Sequence, residues 1–112
     1  MLSLNVPKEY KNFINKYGLI SKNGVEIYGF MDSINNDSLP SVIAATNLYK
    51  KDYKLKEDEI VISFDDFLNC PVVLDRDNIV YNIYLDKKEK IASSFNEWFI
   101  QIINEYELDI NE

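Results

Sequence analysis

The chain has 112 residues, 46% of them hydrophobic, which is one domain's length and enough apolar side chain for a single core without disulfides or metal. Nineteen acids against twelve bases leave a net charge of −7, a sign that repels a phosphate backbone and favours a basic protein partner over nucleic acid. No apolar cluster approaches the roughly 18 uncharged residues of a membrane span, and residues 1–7 run into Lys8, Glu9 and Lys11 without the order of a secretory signal, so no membrane contact and a cytoplasmic location are expected.

Residues 6–18 predict a helix. Tyr10, Phe13, Ile14 and Tyr17 recur at the three-and-four spacing of one apolar face, with Pro7 suited to the first turn and Gly18 to the stop. Asn23-Gly24 reads as a turn, and residues 25–30 as a strand in which Gly29 marks a bend or close packing. Residues 32–38 are polar and read as a loop. Pro40 opens a second helix with Val42, Ala45, Thr46, Tyr49 and Tyr53 on one face, running out into the charged segment 54–59. Lys50, Lys51, Lys54 and Lys56 are interrupted or flanked by Asp52, Glu57, Asp58 and Glu59, the pattern of a solvated helix end and not of a basic stripe.

Residues 60–64 are β-branched and bounded by charge, which predicts a core strand with Ile60, Ile62 and Phe64 inward. Residues 71–75 and 79–85 flank Arg76-Asp77-Asn78 as an antiparallel hairpin, and residues 87–90 read as the loop after it. Ser94 and Glu97 have capping-box spacing ahead of a helix whose Phe95, Trp98, Phe99, Ile102, Ile103 and Tyr106 share one face; residues 109–112 are expected to fray. The later strands follow one another without helices long enough for parallel crossovers. This predicts an α+β fold in a single domain over residues 1–112: a small, mostly antiparallel sheet flanked by about three helices, gathered on one side.

The chain has no histidine, the commonest general base and metal ligand, and Cys70 is its single cysteine. Without a bridge partner or a base, Cys70 reads as a small buried or half-buried hydrophobe. Asp65 and Asp66 are adjacent, so on a strand they point to opposite faces and read as a solvated pair, not a catalytic one. Asp75-Arg76-Asp77 begins like a calcium loop with Asp86 at the twelfth place, but Ile79 and Val80 stand where a ligand and the turn glycine belong. Gly18, Gly24 and Gly29 are too far apart to cradle phosphate. No catalytic residue, metal or cofactor is therefore expected. Eight tyrosines and one tryptophan make a high load of side chains suited to interfaces. Tyr10, Tyr17, Tyr49 and Tyr106 lie on apolar helix faces and read as core. Tyr28 and Tyr84 fall opposite the inward set of their strands and are candidates to meet a partner or a covering helix.

The landmarks Val6-Pro7-x-x-Tyr10-x-x-Phe13-x-x-x-Tyr17-Gly18, then Gly24-x-x-Ile27-Tyr28-Gly29, then Val42-Ile43-x-x-Thr46 form an ordered set. Ile60-Val61-Ile62, Val73-Leu74-Asp75-x-Asp77, Val80-Tyr81 and Ala92-Ser93-Ser94-Phe95-x-x-Trp98 continue it over nearly the whole chain. In this order and spacing the chain resembles the SUKH superfamily. The resemblance implies a small sheet flanked by helices and a protein-binding, non-catalytic role. Bacterial members are typically immunity proteins of polymorphic toxin systems, and a eukaryotic branch includes a cell-wall assembly regulator. The stretch 63–70 is shorter here than in longer members.

Charge and resemblance together predict an immunity protein, a monomer or weak homodimer, that neutralises a cognate basic toxin such as a nuclease. The alternative class is a regulatory or scaffold module that binds a protein without inhibiting it. The candidate partner-binding residues are the loop acids Glu57, Asp58, Glu59, Asp65, Asp66, Asp75 and Asp77, with Tyr28 and Tyr84.

Overall fold

The computed structural model describes residues 6–30, 41–84 and 86–109. The expected loop at 32–38, Pro40, Leu85 and residues 110–112 lie outside them. Helix α1 (Lys8–Tyr17) forms on the expected periodicity and buries Tyr10 and Phe13. Gly18 ends it at φ 75°, its N–H donating to the Ile14 carbonyl at 2.8 Å. Strands β1 (Ile20–Lys22) and β2 (Val25–Ile27) pair across Asn23-Gly24, both at positive φ as a tight hairpin turn requires. Helix α2 (Val42–Lys50) is capped by Ser41, whose hydroxyl accepts from the N–H groups of Ile43 and Ala44.

Strands β3 (Ile60–Asp65), β4 (Cys70–Leu74), β5 (Val80–Tyr84) and β6 (Lys87–Ala92) follow, and then helix α3 (Phe95–Glu105). The sheet order is β1-β2-β3-β4-β5-β6, each strand antiparallel to its neighbours in sequence. The expected antiparallel sheet is thus present, with two strands that the sequence reading did not assign. Strand β6 replaces the loop expected at 87–90: Lys87, Lys88, Glu89 and Lys90 pair with Tyr84, Ile83, Asn82 and Tyr81. The side chains of residues 87–90 are exposed at an edge, so the sequence there carries no apolar alternation. Strand β3 departs from the expected inward set because its register slips at Ile62, from Val61 opposite Val73 to Ser63 opposite Val72. Val61, Ile62 and Ser63 are consequently all buried, whereas Ile60 and Phe64 are half-buried.

All five residues of β4 are buried. Side chains alternate along a strand, so both faces of the sheet are covered at its centre, and the helices are not gathered on one side. Helix α2 covers the face of Val73 and Pro71. Their partners on β3 are Val61, whose N–H donates to Thr46 Oγ1 at 3.0 Å, and Phe64, whose ring stacks on Tyr49 at 5.5 Å. The register assigns Ile27, Val72, Leu74, Val80 and Ala92 to the opposite face, all buried beneath α1 and α3. There Tyr10, Phe13, Phe95, Trp98 and Phe99 form an aromatic cluster with neighbouring centroids 5.2 to 5.9 Å apart. The Ser94 cap is as expected, its Oγ accepting from the Glu97 N–H at 3.0 Å, while the Glu97 carboxylate reaches back one residue past the cap and accepts from the Ser93 N–H at 2.9 Å. Burying large rings at about 25 cal/mol per Å² makes this cluster a main source of stability.

Candidate functional site

The antiparallel order divides the loop acids into two groups. Glu57, Asp58 and Glu59 precede β3, and Asp75 and Asp77 follow β4, so these five lie at one end of the sheet. Asp65 and Asp66 lie at the other end, a six-residue strand away, about 20 Å. One continuous acidic patch is therefore excluded.

At the first end several acids are occupied by the fold itself. Glu59 is 3% exposed. One carboxylate oxygen accepts from the Lys56 N–H at 2.8 Å, and the other pairs with the Lys88 ammonium. That ammonium also sits over the Tyr81 ring, 4.4 Å from its centroid. Burial acts to lower the Lys88 pKa, but the hydrogen bond and charge of Glu59 outweigh it and the net shift is upward. The expectation of a solvated Glu59 is corrected: a lone carboxylate is costly to bury, and this one is buried because Lys88 reaches it. Asp75 Oδ1 accepts from the N–H groups of Asp77 and Ile79 at 2.9 and 3.0 Å, fastening the β4–β5 turn. Asp58 pairs with the exposed Arg76 at 3.5 Å, a weak contact. Glu57 and Asp77 are exposed.

At the second end, Asp65 Oδ1 accepts from the N–H groups of Phe67 and Leu68 at 2.9 and 3.0 Å, and Asn69 closes the turn at φ 57°. This braced turn presents Phe67, 92% exposed, with Leu68 beside it at 38% and Asp66 exposed. Tyr84, also 38% exposed, ends β5 at this same end. Phe67 and Leu68 were missed in the sequence. Their signal was an apolar pair inside a turn, where polar residues ordinarily stand.

Beside this turn a groove of about 480 Å³ opens between the β1–β2 hairpin and α2. Glu26, Asp66, Lys22, Tyr28, Tyr49 and Phe64 are among its lining residues. Tyr28 is 3% exposed, so of the two expected alternatives it meets a covering helix and is not an open partner-binding surface residue. Helix α2 covers its face of the sheet, its N–H donates to the Ile62 carbonyl at 2.7 Å, and its carbonyl accepts from the Tyr10 hydroxyl at 2.6 Å. Burial, followed by the neighbouring Tyr49, Glu26 and Asp66, pushes the Tyr28 hydroxyl up to about 12. It remains a phenol at neutral pH.

This arrangement suits recognition: a rigid turn with an exposed ring, acids beside it and an aromatic groove behind. No helix among the described residues is long and apolar enough to cross a membrane. No solved structure matches the chain. The family model SUKH_5, described as SMI1-KNR4 cell-wall, matches residues 1–104. The order of landmarks, the helix-flanked sheet and this match over nearly the whole length agree, and the chain belongs to the SUKH superfamily.

Proposed function

We propose that this protein is an immunity-type module that binds and neutralises a basic toxin through the sheet end carrying Asp65, Asp66, Phe67 and Tyr84. The observation behind this reading is Phe67, 92% exposed on a turn that Asp65 holds by two hydrogen bonds. An aromatic ring held out in water by a preformed turn costs little further ordering on binding and gains its whole apolar area when a partner covers it. Membership of a family rich in protein-binding immunity members supports the same reading. Asp66 supplies charge next to the ring. Glu57, Asp58, Asp75 and Asp77, at the far end, act through the long-range field and not through contact.

The test is binding to the product of the adjacent gene, with inhibition of that product's activity measured in parallel. Phe67→Ala removes a fully exposed side chain, so thermal stability stays within about 0.5 kcal/mol of the parent. Affinity is expected to fall at least roughly 30-fold, the size of an interface anchor. Parent-like binding by the variant would overturn the reading. Tight binding without inhibition would make the chain a scaffold module instead.

A further inference from the structure

From its lining we infer that the groove between the β1–β2 hairpin and α2 is a receptor for one arginine side chain of the protein partner. This rests on the proposed function only for the class of partner. Two carboxylates, Glu26 and Asp66, border the groove against one ammonium, Lys22, so its local charge is negative. Its wall is aromatic: Tyr49 and Phe64, both half-buried, stack with centroids 5.5 Å apart and an interplanar angle of 22°. Near-parallel rings with part of their surface open suit a flat cation, because a guanidinium stacks on an aromatic face while donating forked hydrogen bonds to carboxylates at its edge. An ammonium is compact, more strongly hydrated and unable to stack in this way. The volume, about 480 Å³, exceeds what a single side chain needs and leaves room for the adjoining backbone of the partner.

The hairpin itself is well fixed. The Asn23 side-chain amide donates to the carbonyls of Tyr106 and Glu107 at 3.2 and 3.3 Å, and Ser63 Oγ donates to the Glu26 carbonyl. The strand that carries Glu26 to the groove's edge is thus braced, with the Ser21 hydroxyl 3.4 Å from the Glu26 carboxylate. This pre-organisation reduces the ordering cost of gripping a cation.

The test uses the intact protein labelled with nitrogen-15 and three amidated tripeptides: Gly-Arg-Gly, Gly-Lys-Gly and the uncharged citrulline analogue. The arginine peptide should shift the amide signals of Gly24, Glu26, Tyr49 and Asp66, with half-saturation on the order of 1 mM. Glu26→Gln with Asp66→Asn should weaken it about tenfold or more, whereas Lys22→Gln should tighten it by about twofold. The lysine peptide should bind at least several-fold more weakly. An equal response to citrulline, shifts confined to other parts of the chain, or indifference to the double variant would overturn the inference. Equal binding of the lysine peptide would overturn the choice of guanidinium. Phe67 does not line the groove, so Phe67→Ala leaves the titration unchanged. A silent groove beside Phe67-dependent partner binding defeats only this inference, and an arginine-responsive groove beside Phe67-independent binding defeats only the proposed docking end.

Discussion

Trp98 is 3% exposed and sits against Phe95 in the aromatic cluster under α3. Trp98→Ala should cost about 3 to 5 kcal/mol in a urea melt, through lost transfer energy and the cavity left behind; a melt overlaying the parent would mean that α3 is not docked. Cys70 illustrates a titration of opposite chemistry. It is 1% exposed, and burial, followed by the charges of Asp65 and Glu89, pushes its thiol up to about 11. The folded chain therefore holds this proton longer than the unfolded chain does. That contribution to stability is fully present below the ordinary thiol range and is lost as pH rises through about 11. Cys70→Ala should flatten the fall of stability between pH 9 and 11, and the native thiol should react with iodoacetamide far more slowly at pH 8 than the unfolded one. The burial of Cys70 and Trp98 was legible, because an isolated thiol and a mid-face indole have no better place. That of Tyr28 was not, since alternation names a face without saying whether a helix covers it.

Gly29 shows how elements are tied together. A Cβ there would come within 1.7 Å of the Gly18 carbonyl oxygen, so the end of α1 and the chain after β2 touch backbone to backbone. The contact is secured by the Phe30 N–H donating to Gly18 O at 3.1 Å and the Val42 N–H donating to Gly29 O at 2.8 Å. Gly29→Ala should destabilise the fold by about 3 kcal/mol, read as a lower melting temperature by circular dichroism; an unchanged melt would mean that this joint is loose. Close packing at Gly29 was readable from a glycine inside a strand pattern. Helices α1 and α3 and the hairpin around Arg76 were readable for the same reason, their periodicity matching their burial, whereas α2 ends at Lys50 and leaves Tyr53, expected on its face, in the turn that follows. Strands β1 and β6 were not. The first is three residues long, and the second takes its place from hydrogen bonds to β5 while the side chains of residues 87–90 are exposed and only Ile91 and Ala92 turn inward. The Ile62 bulge was equally hidden, since its consequence is set by register against β4.

For the whole molecule the governing quantity is a net charge of −7. A basic partner approaching this field should associate faster at low ionic strength. The association rate is expected to fall more than about tenfold between roughly 0.02 and 0.5 M salt, while dissociation changes much less. Stopped-flow measurement would show this, and a salt-independent rate would remove electrostatic steering from the account. That the chain as a whole is acidic was legible from composition. Which acids remain free was not, because the pairing of buried Glu59 with Lys88 joins residues 29 apart in sequence.

Among the described residues the meander ends in two edge strands, β1 and β6, the places where another sheet would add. Strand β6 bears exposed Lys87, Glu89 and Lys90, with Lys88 tied to Glu59, at an edge that has no neighbouring strand among the described residues. A strand arriving there from another molecule would have to desolvate the Lys87 and Lys90 ammonium groups and the Glu89 carboxylate to form its ladder. The same charges that hid β6 from pattern recognition thus act as a guard against fibre growth. At the other margin, β1 offers only three residues, too short a template for a stacked assembly to nucleate on.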